Sequence, residues 1–143
     1  MKSMTMRSMI AVAALAAAAA SASAQTYKAD IPMAFSANGK VLAAGTYQFE
    51  VVNHNNAQPV LSVRNIATGH SALLPSHSRA DVPKAWLKQA NPILSFDCLA
   101  GDCTLRRMWD GSGRGAYQFP GPKVSGADVE RVASITVALT RGD

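Results

Sequence analysis

Tyr47-Gln48-Phe49-Glu50-Val51 is the stretch on which the fold reading turns, with a large apolar side chain at every second position and polar ones between. Successive side chains of a strand point to opposite faces, so this pattern puts Tyr47, Phe49 and Val51 on a buried face and Gln48 and Glu50 on the other. Working upstream, Ala43-Ala44-Gly45 reads as a turn, and Ile31, Met33 and Phe35 alternate ahead of the turn signal Asn38-Gly39. Pro32 has no N–H for a ladder bond, which predicts an edge strand there. Downstream, Asn53 to Gln58 is a polar turn, Leu61 and Val63 alternate with Ser62 and Arg64, and Ala67-Thr68-Gly69 leads to a strand over Ser71 to Leu74. Strands joined by such short turns imply an antiparallel meander.

From Pro75 to Pro92 the alternation lapses into a long loop with a helical turn near Lys84 to Gln89. It resumes with Leu94, Phe96 and Cys98, and again with Cys103, Leu105 and Trp109. A glycine-rich link, Gly111 to Gly115, precedes a short strand at Tyr117 to Phe119; Pro120 to Gly126 is irregular, and Asp128 to Arg131 starts a short helix. Ile135, Val137 and Leu139 then alternate with Thr136, Ala138 and Thr140. The sum is about eight short strands and no long amphipathic helix, which predicts an all-β domain, a small antiparallel sandwich or a partly open barrel. The strands are too short for an outer-membrane barrel, which needs about 9–11 residues in each.

Residues 1–24 have the layout of a secretory signal: Lys2 and Arg7, an apolar run from Met9 to Ala20, then Ser21-Ala22-Ser23-Ala24. The run is shorter than the roughly 20 apolar residues of a membrane-spanning helix. Cleavage after Ala24 is therefore expected, leaving a single domain over 25–143, secreted or periplasmic and not integral to a membrane. Removing Lys2 and Arg7 from 14 basic residues leaves 12 against 9 acidic, a net charge of +3. Those charges are scattered from Lys28 to Arg141, unlike the concentrated basic faces of nucleic-acid binders. No nucleic-acid partner is expected, and neither another partner nor the oligomeric state is legible.

Asp30-Ile31-Pro32-Met33-Ala34-Phe35 followed by Gly39-Lys40-Val41-Leu42-Ala43-Ala44-Gly45-Thr46-Tyr47 resembles the opening of a family of small, secreted, uncharacterised bacterial β-proteins. In that family an IPF-F strand leads through a Gly-Lys turn to a PAGTY strand. Ile93 to Asp97, Met108-Trp109 and Gly113-Arg114-Gly115 are similar to its later hairpin and link. Ala43 stands where the family usually has proline, and the cysteine pair is not a family feature. The resemblance implies export and a β fold; it brings no activity, cofactor or catalytic residue.

The chemistry-bearing residues form no recognisable set. Gly69-His70-Ser71 and Gly111-Ser112-Gly113 lack the spacing of a nucleophile elbow. Asp97, Asp102 and Asp110 surround one hairpin, where turn aspartates bonding their own backbone explain them better than paired catalytic carboxylates. His54, His70 and His77 lack zinc-ligand spacing and read as surface histidines, so no metal or other cofactor is expected. Two residues are candidates for ligand binding: Arg114, in a glycine-rich link able to form an anion-holding nest, and Trp86, an aromatic carried on the long loop. Trp109 reads as core. Cys98 and Cys103 flank Leu99-Ala100-Gly101-Asp102; export and an even cysteine count predict a disulfide across a hairpin, with Phe96 opposite Leu105 and Leu94 opposite Arg107.

Two functional readings follow. The first is an exported, non-enzymatic β-domain that binds a partner or ligand in the cell envelope or outside the cell. The alternative is a secreted hydrolase whose site assembles in space from Asp97, Asp110 and His77.

Overall fold

The computed structural model describes residues 25–52, 58–89, 91–113, 115–121 and 125–142. Among these are twelve strands in two facing sheets that do not close into a barrel, so the all-β sandwich is the architecture adopted. Sheet A contains β1 (Thr26–Ile31), β4 (Gly45–Val52), β5 (Val60–Asn65), β6 (Ser71–Pro75) and β12 (Thr140–Gly142), in the order β12-β1-β4-β5-β6. Sheet B runs β11-β8-β9-β10-β7, from β11 (Ala133–Ala138) through β8 (Ile93–Leu99), β9 (Asp102–Trp109) and β10 (Ala116–Gln118) to β7 (Ser78–Ala80). The hairpin of β2 (Phe35–Ala37) and β3 (Lys40–Leu42) joins sheet B through a parallel bridge between Ser36 and Thr104.

The meander β4-β5-β6 has the expected register, with Phe49 opposite Val63 and Leu61 opposite Leu74. Tyr47, Phe49, Leu61 and Val63 are buried, while Gln48 and Ser62 are half-buried on the other face. Phe35 ties the two sheets together, its ring packing edge-on against Tyr47 of sheet A at 5.1 Å and Phe96 of sheet B at 5.4 Å.

Four segments cross between the sheets, from β1 to β2, β3 to β4, β6 to β7 and β11 to β12, and two expectations change at these crossings. Pro32 lies between β1 and β2, and β1 pairs with β12 on one side and β4 on the other. The proline therefore ends an interior strand where the chain leaves sheet A, instead of lying on an edge strand, and its missing N–H falls outside the ladder. Between β6 and β7, the N–H of Ser76 donates to Pro59 O beside sheet A and the N–H of His77 to Gln118 O in sheet B. At the last crossing, Leu139 separates β11 from β12 and donates to Pro92 O. Leu139 is buried and Val137 packs on the core, but Ile135, expected in the core, is 39% exposed. β11 is the edge of sheet B, so only its end near the crossing is covered.

The stretch over 75–92 is more ordered than a loop. It holds β7 and a short helix, α1 (Lys84–Gln89), which lies over the outer face of sheet B. There Trp86 packs with Ile93, Trp109 and Ala116 in a second apolar cluster separate from the main core. Trp109 is buried as expected, in this outer cluster. At the other end of the chain, the helical start expected at Asp128 to Arg131 is a 3-10 turn over Val129–Arg131. No helix among the described residues is long and apolar enough to cross a membrane.

Candidate functional site

β9 carries the feature that sets the outer face of sheet B. Cys98 pairs with Cys103 and Phe96 with Leu105, as the sequence predicts, and a disulfide links the cysteines with Cα atoms 4.0 Å apart. The next pair is Ser95 with Arg107, and then Leu94 with Met108. Arg106 is the extra residue of a β-bulge, and Leu94 does not oppose Arg107 as a regular ladder requires. The physical reason lies in the sequence Leu105-Arg106-Arg107-Met108: both ends are core side chains with 0% exposure, three positions apart. Strict alternation would turn Arg107 into the core, whereas one bulged residue leaves both arginines outside. The bulge also falls where the far edge of β9 changes partner, from β2 at Thr104 to β10 at Arg107.

Both arginines are half-buried. Arg106 brackets the peptide of Phe119: its carbonyl accepts the Phe119 N–H at 2.8 Å, and its Nη1 donates to Phe119 O at 2.7 Å. Its Nε lies 3.4 Å from Oδ2 of Asp97. Arg107 sits with its guanidinium over the ring of Trp86, 5.0 Å from the centroid. Across the sheet, directly paired residues line up as Ser78, Gln118, Arg107, Ser95 and Thr136. Paired positions share a face, so a polar row crosses five strands with Arg107 at its middle. Ser78 Oγ donates to Gln118 Oε1 at 2.8 Å, and the Oγ atoms of Ser95 and Ser134 lie 3.4 Å apart. Asp97, Arg106, Arg107 and Gln118 line a cavity of about 210 Å³.

The candidates picked from sequence fare differently. Trp86 is not an exposed loop aromatic: it is 7% exposed, held on the outer cluster with Arg107 across its ring, while its neighbour Leu87 is the exposed member of the pair. The sequence could not reveal that the loop folds back over sheet B. Arg114 and His54 lie outside the described residues. Asp110 behaves as a turn aspartate, its Oδ1 accepting the Ser112 N–H at 2.9 Å. Asp97 does not; it sits within β8 and faces Arg106. His70 and His77 are exposed. Of Asp97, Asp110 and His77, only Asp97 lines this cavity, and no three His, Cys, Asp or Glu side chains gather as a metal site among the described residues. Away from the cavity, burial first and the Asp110 charge second push the Tyr27 phenol above its usual value.

No protein-family model, curated protein or solved structure matches the chain.

Proposed function

We propose that the mature protein, residues 25–143, is an exported, non-enzymatic β-domain that binds a partner or ligand in the cell envelope or outside the cell. The observation that carries this reading is the make-up of the outer cavity. Among the described residues its single carboxylate, Asp97, is engaged by Arg106, and the rest of its lining is arginine and glutamine. Such a lining donates hydrogen bonds to a ligand, whereas hydrolysis calls for a nucleophile beside a base or for two carboxylates across a gap. Export is supported by the signal-like layout of residues 1–24 and by the Cys98–Cys103 disulfide, a bond that persists in oxidising compartments. The resemblance of residues 30–47 to small secreted β-proteins points the same way.

Native mass spectrometry of protein recovered from the periplasm or medium of its own host tests both parts. The expected species starts at Gln25, lacks two hydrogens for the disulfide, and carries a non-covalent companion that dissociates on activation. Recovery of a chain that retains Met1, or of two free thiols, would sink the export reading; turnover of a hydrolase substrate by the same preparation would sink the non-enzymatic one.

A further inference from the structure

We propose that Arg107 anchors a carboxylate-binding site on the outer face of sheet B, with Gln118 as second donor; this rests on the reading of the protein as a binding domain. A guanidinium has five N–H donors and accepts nothing. Among the described residues, Arg107 has a ring contact with Trp86 and no hydrogen bond or ion pair, although it is half-buried and lines a cavity. The ring contact fixes and partly desolvates the cation without consuming an acceptor. Its neighbours are arranged to the same end. Gln118 Oε1 is occupied by Ser78, which orients the amide and leaves its Nε2 as a donor. Arg106 is committed to Asp97 and to Phe119 O.

Charge and size narrow the class of ligand. Among the described residues, two arginines and one aspartate give the cavity one net positive charge, which suits a monoanion; a phosphate dianion would call for a second uncommitted cation. The planar fork of a guanidinium matches a carboxylate in bidentate fashion. A cavity of about 210 Å³ is smaller than the roughly 300–1,000 Å³ of sites for drug-sized ligands. It takes a carboxylate and a short stem. That chemistry is shared by a free small organic acid and by the side chain of an acidic peptide.

Nitrogen-resolved NMR of the purified protein, disulfide intact, separates these sources. Acetate, succinate and a short amidated peptide bearing one glutamate are titrated at constant ionic strength while the Arg107 Nε–H, the Trp86 indole N–H and the Gln118 amide are followed. The expected result is saturable shifts of all three signals. Affinity should fall at least tenfold in Arg107→Gln and stay unchanged in Arg64→Gln, a control on an exposed arginine of sheet A. Saturation by acetate and peptide alike identifies a free carboxylate as sufficient, and saturation by the peptide alone identifies an acidic segment as the ligand. Arg107→Lys keeps the charge and the stem and should also bind weakly; binding equal to wild type would overturn the bidentate claim. Equal shifts with chloride or phosphate, or no saturable shift with any carboxylate, would overturn the site. If a companion species still co-purifies in that last case, the failure belongs to this cavity and the binding reading stands.

Discussion

Strand β4, inside sheet A, and strand β9, inside sheet B, start from the same pattern and end differently. In β4 the burial of Tyr47 and Phe49 alternates with half-buried Gln48 and Glu50, and the pairing with β1 and β5 is unbroken. In β9 the alternation holds through Cys103 and Leu105, then two arginines follow each other, and Met108 and Trp109 are buried on opposite faces. The meander of sheet A has one face to cover, and period two is all it needs. β8 is buried at Ile93, Leu94, Ser95 and Phe96 in succession because α1 and its loop cover the outer side of sheet B as well. A covered outer face with a bulge beneath it is what creates the half-buried, donor-lined concavity of sheet B.

The largest expected effect tests the regular side of that comparison. Phe49 is fully buried between β1 and β5, and truncating a buried phenylalanine costs about 3–5 kcal/mol. Against total stabilities of about 5–15 kcal/mol, Phe49→Ala should leave the protein close to unfolding in urea melts. Gln48→Ala should stay within about 0.5 kcal/mol of wild type, as substitutions away from the core do. Comparable losses from the two would mean that β4 faces the other way.

The next effect belongs to sheet B. Closing the short loop between Cys98 and Cys103 stabilises by about 2 kcal/mol in the chain-entropy model. The β8–β9 ladder beyond the cysteines is long, running to Ile93 opposite Trp109. The Cys98→Ser/Cys103→Ser double variant should therefore fold, with Tm lowered by roughly 8 °C at about 4 °C per kcal/mol. Failure to fold would show that the bulged ladder does not hold without its covalent end, and that sheet B differs from sheet A in stability as well as in pattern.

What was legible in the sequence follows the same division. Wherever one face is buried, period two alone was enough: β4, β5, β6, the inner face of β8 and that of β9 as far as Leu105 fall where the alternation puts them. The turn at Asn38-Gly39 was also readable, because few residues accept left-handed φ at both positions, and here φ is 51° and 76°. Of the three-residue strands, β10 was read one residue late, at Tyr117 to Phe119, while β2, β3 and β7 were not read, since a segment so short holds at most one alternation. Asn65 was missed as well; it is buried and its Oδ1 accepts the N–H groups of Ala67 and Thr68, organising the turn after β5. The candidate site was hidden for a related reason. Its signal, two adjacent arginines between two core residues three apart, is a break in alternation, and only the paired strand shows that a bulge resolves it.

The smallest expected effect lies at the tip of the disulfide-linked hairpin, where sheet B carries a turn that the β2–β3 hairpin also uses. Leu99 pairs with Asp102, so the connection is the two residues Ala100-Gly101, with φ of 52° and 87°. These values follow the Asn38-Gly39 turn closely, but alanine stands where that turn has asparagine. An L-residue with a Cβ in the left-handed region costs roughly 1–2 kcal/mol, a penalty that asparagine partly escapes through local hydrogen bonding. Glycine would relieve the strain too, yet it gives back part of the gain by loosening the unfolded chain. Ala100→Asn should therefore stabilise by roughly 0.5–1 kcal/mol and raise Tm by roughly 2–4 °C. The converse change, Asn38→Ala, should destabilise by more than the turn strain alone, because Nδ2 of Asn38 also donates to Leu73 O on the free edge of β6. Calorimetry of the two variants side by side settles the point: a neutral Ala100→Asn would mean that the turn at Ala100 is not left-handed in solution.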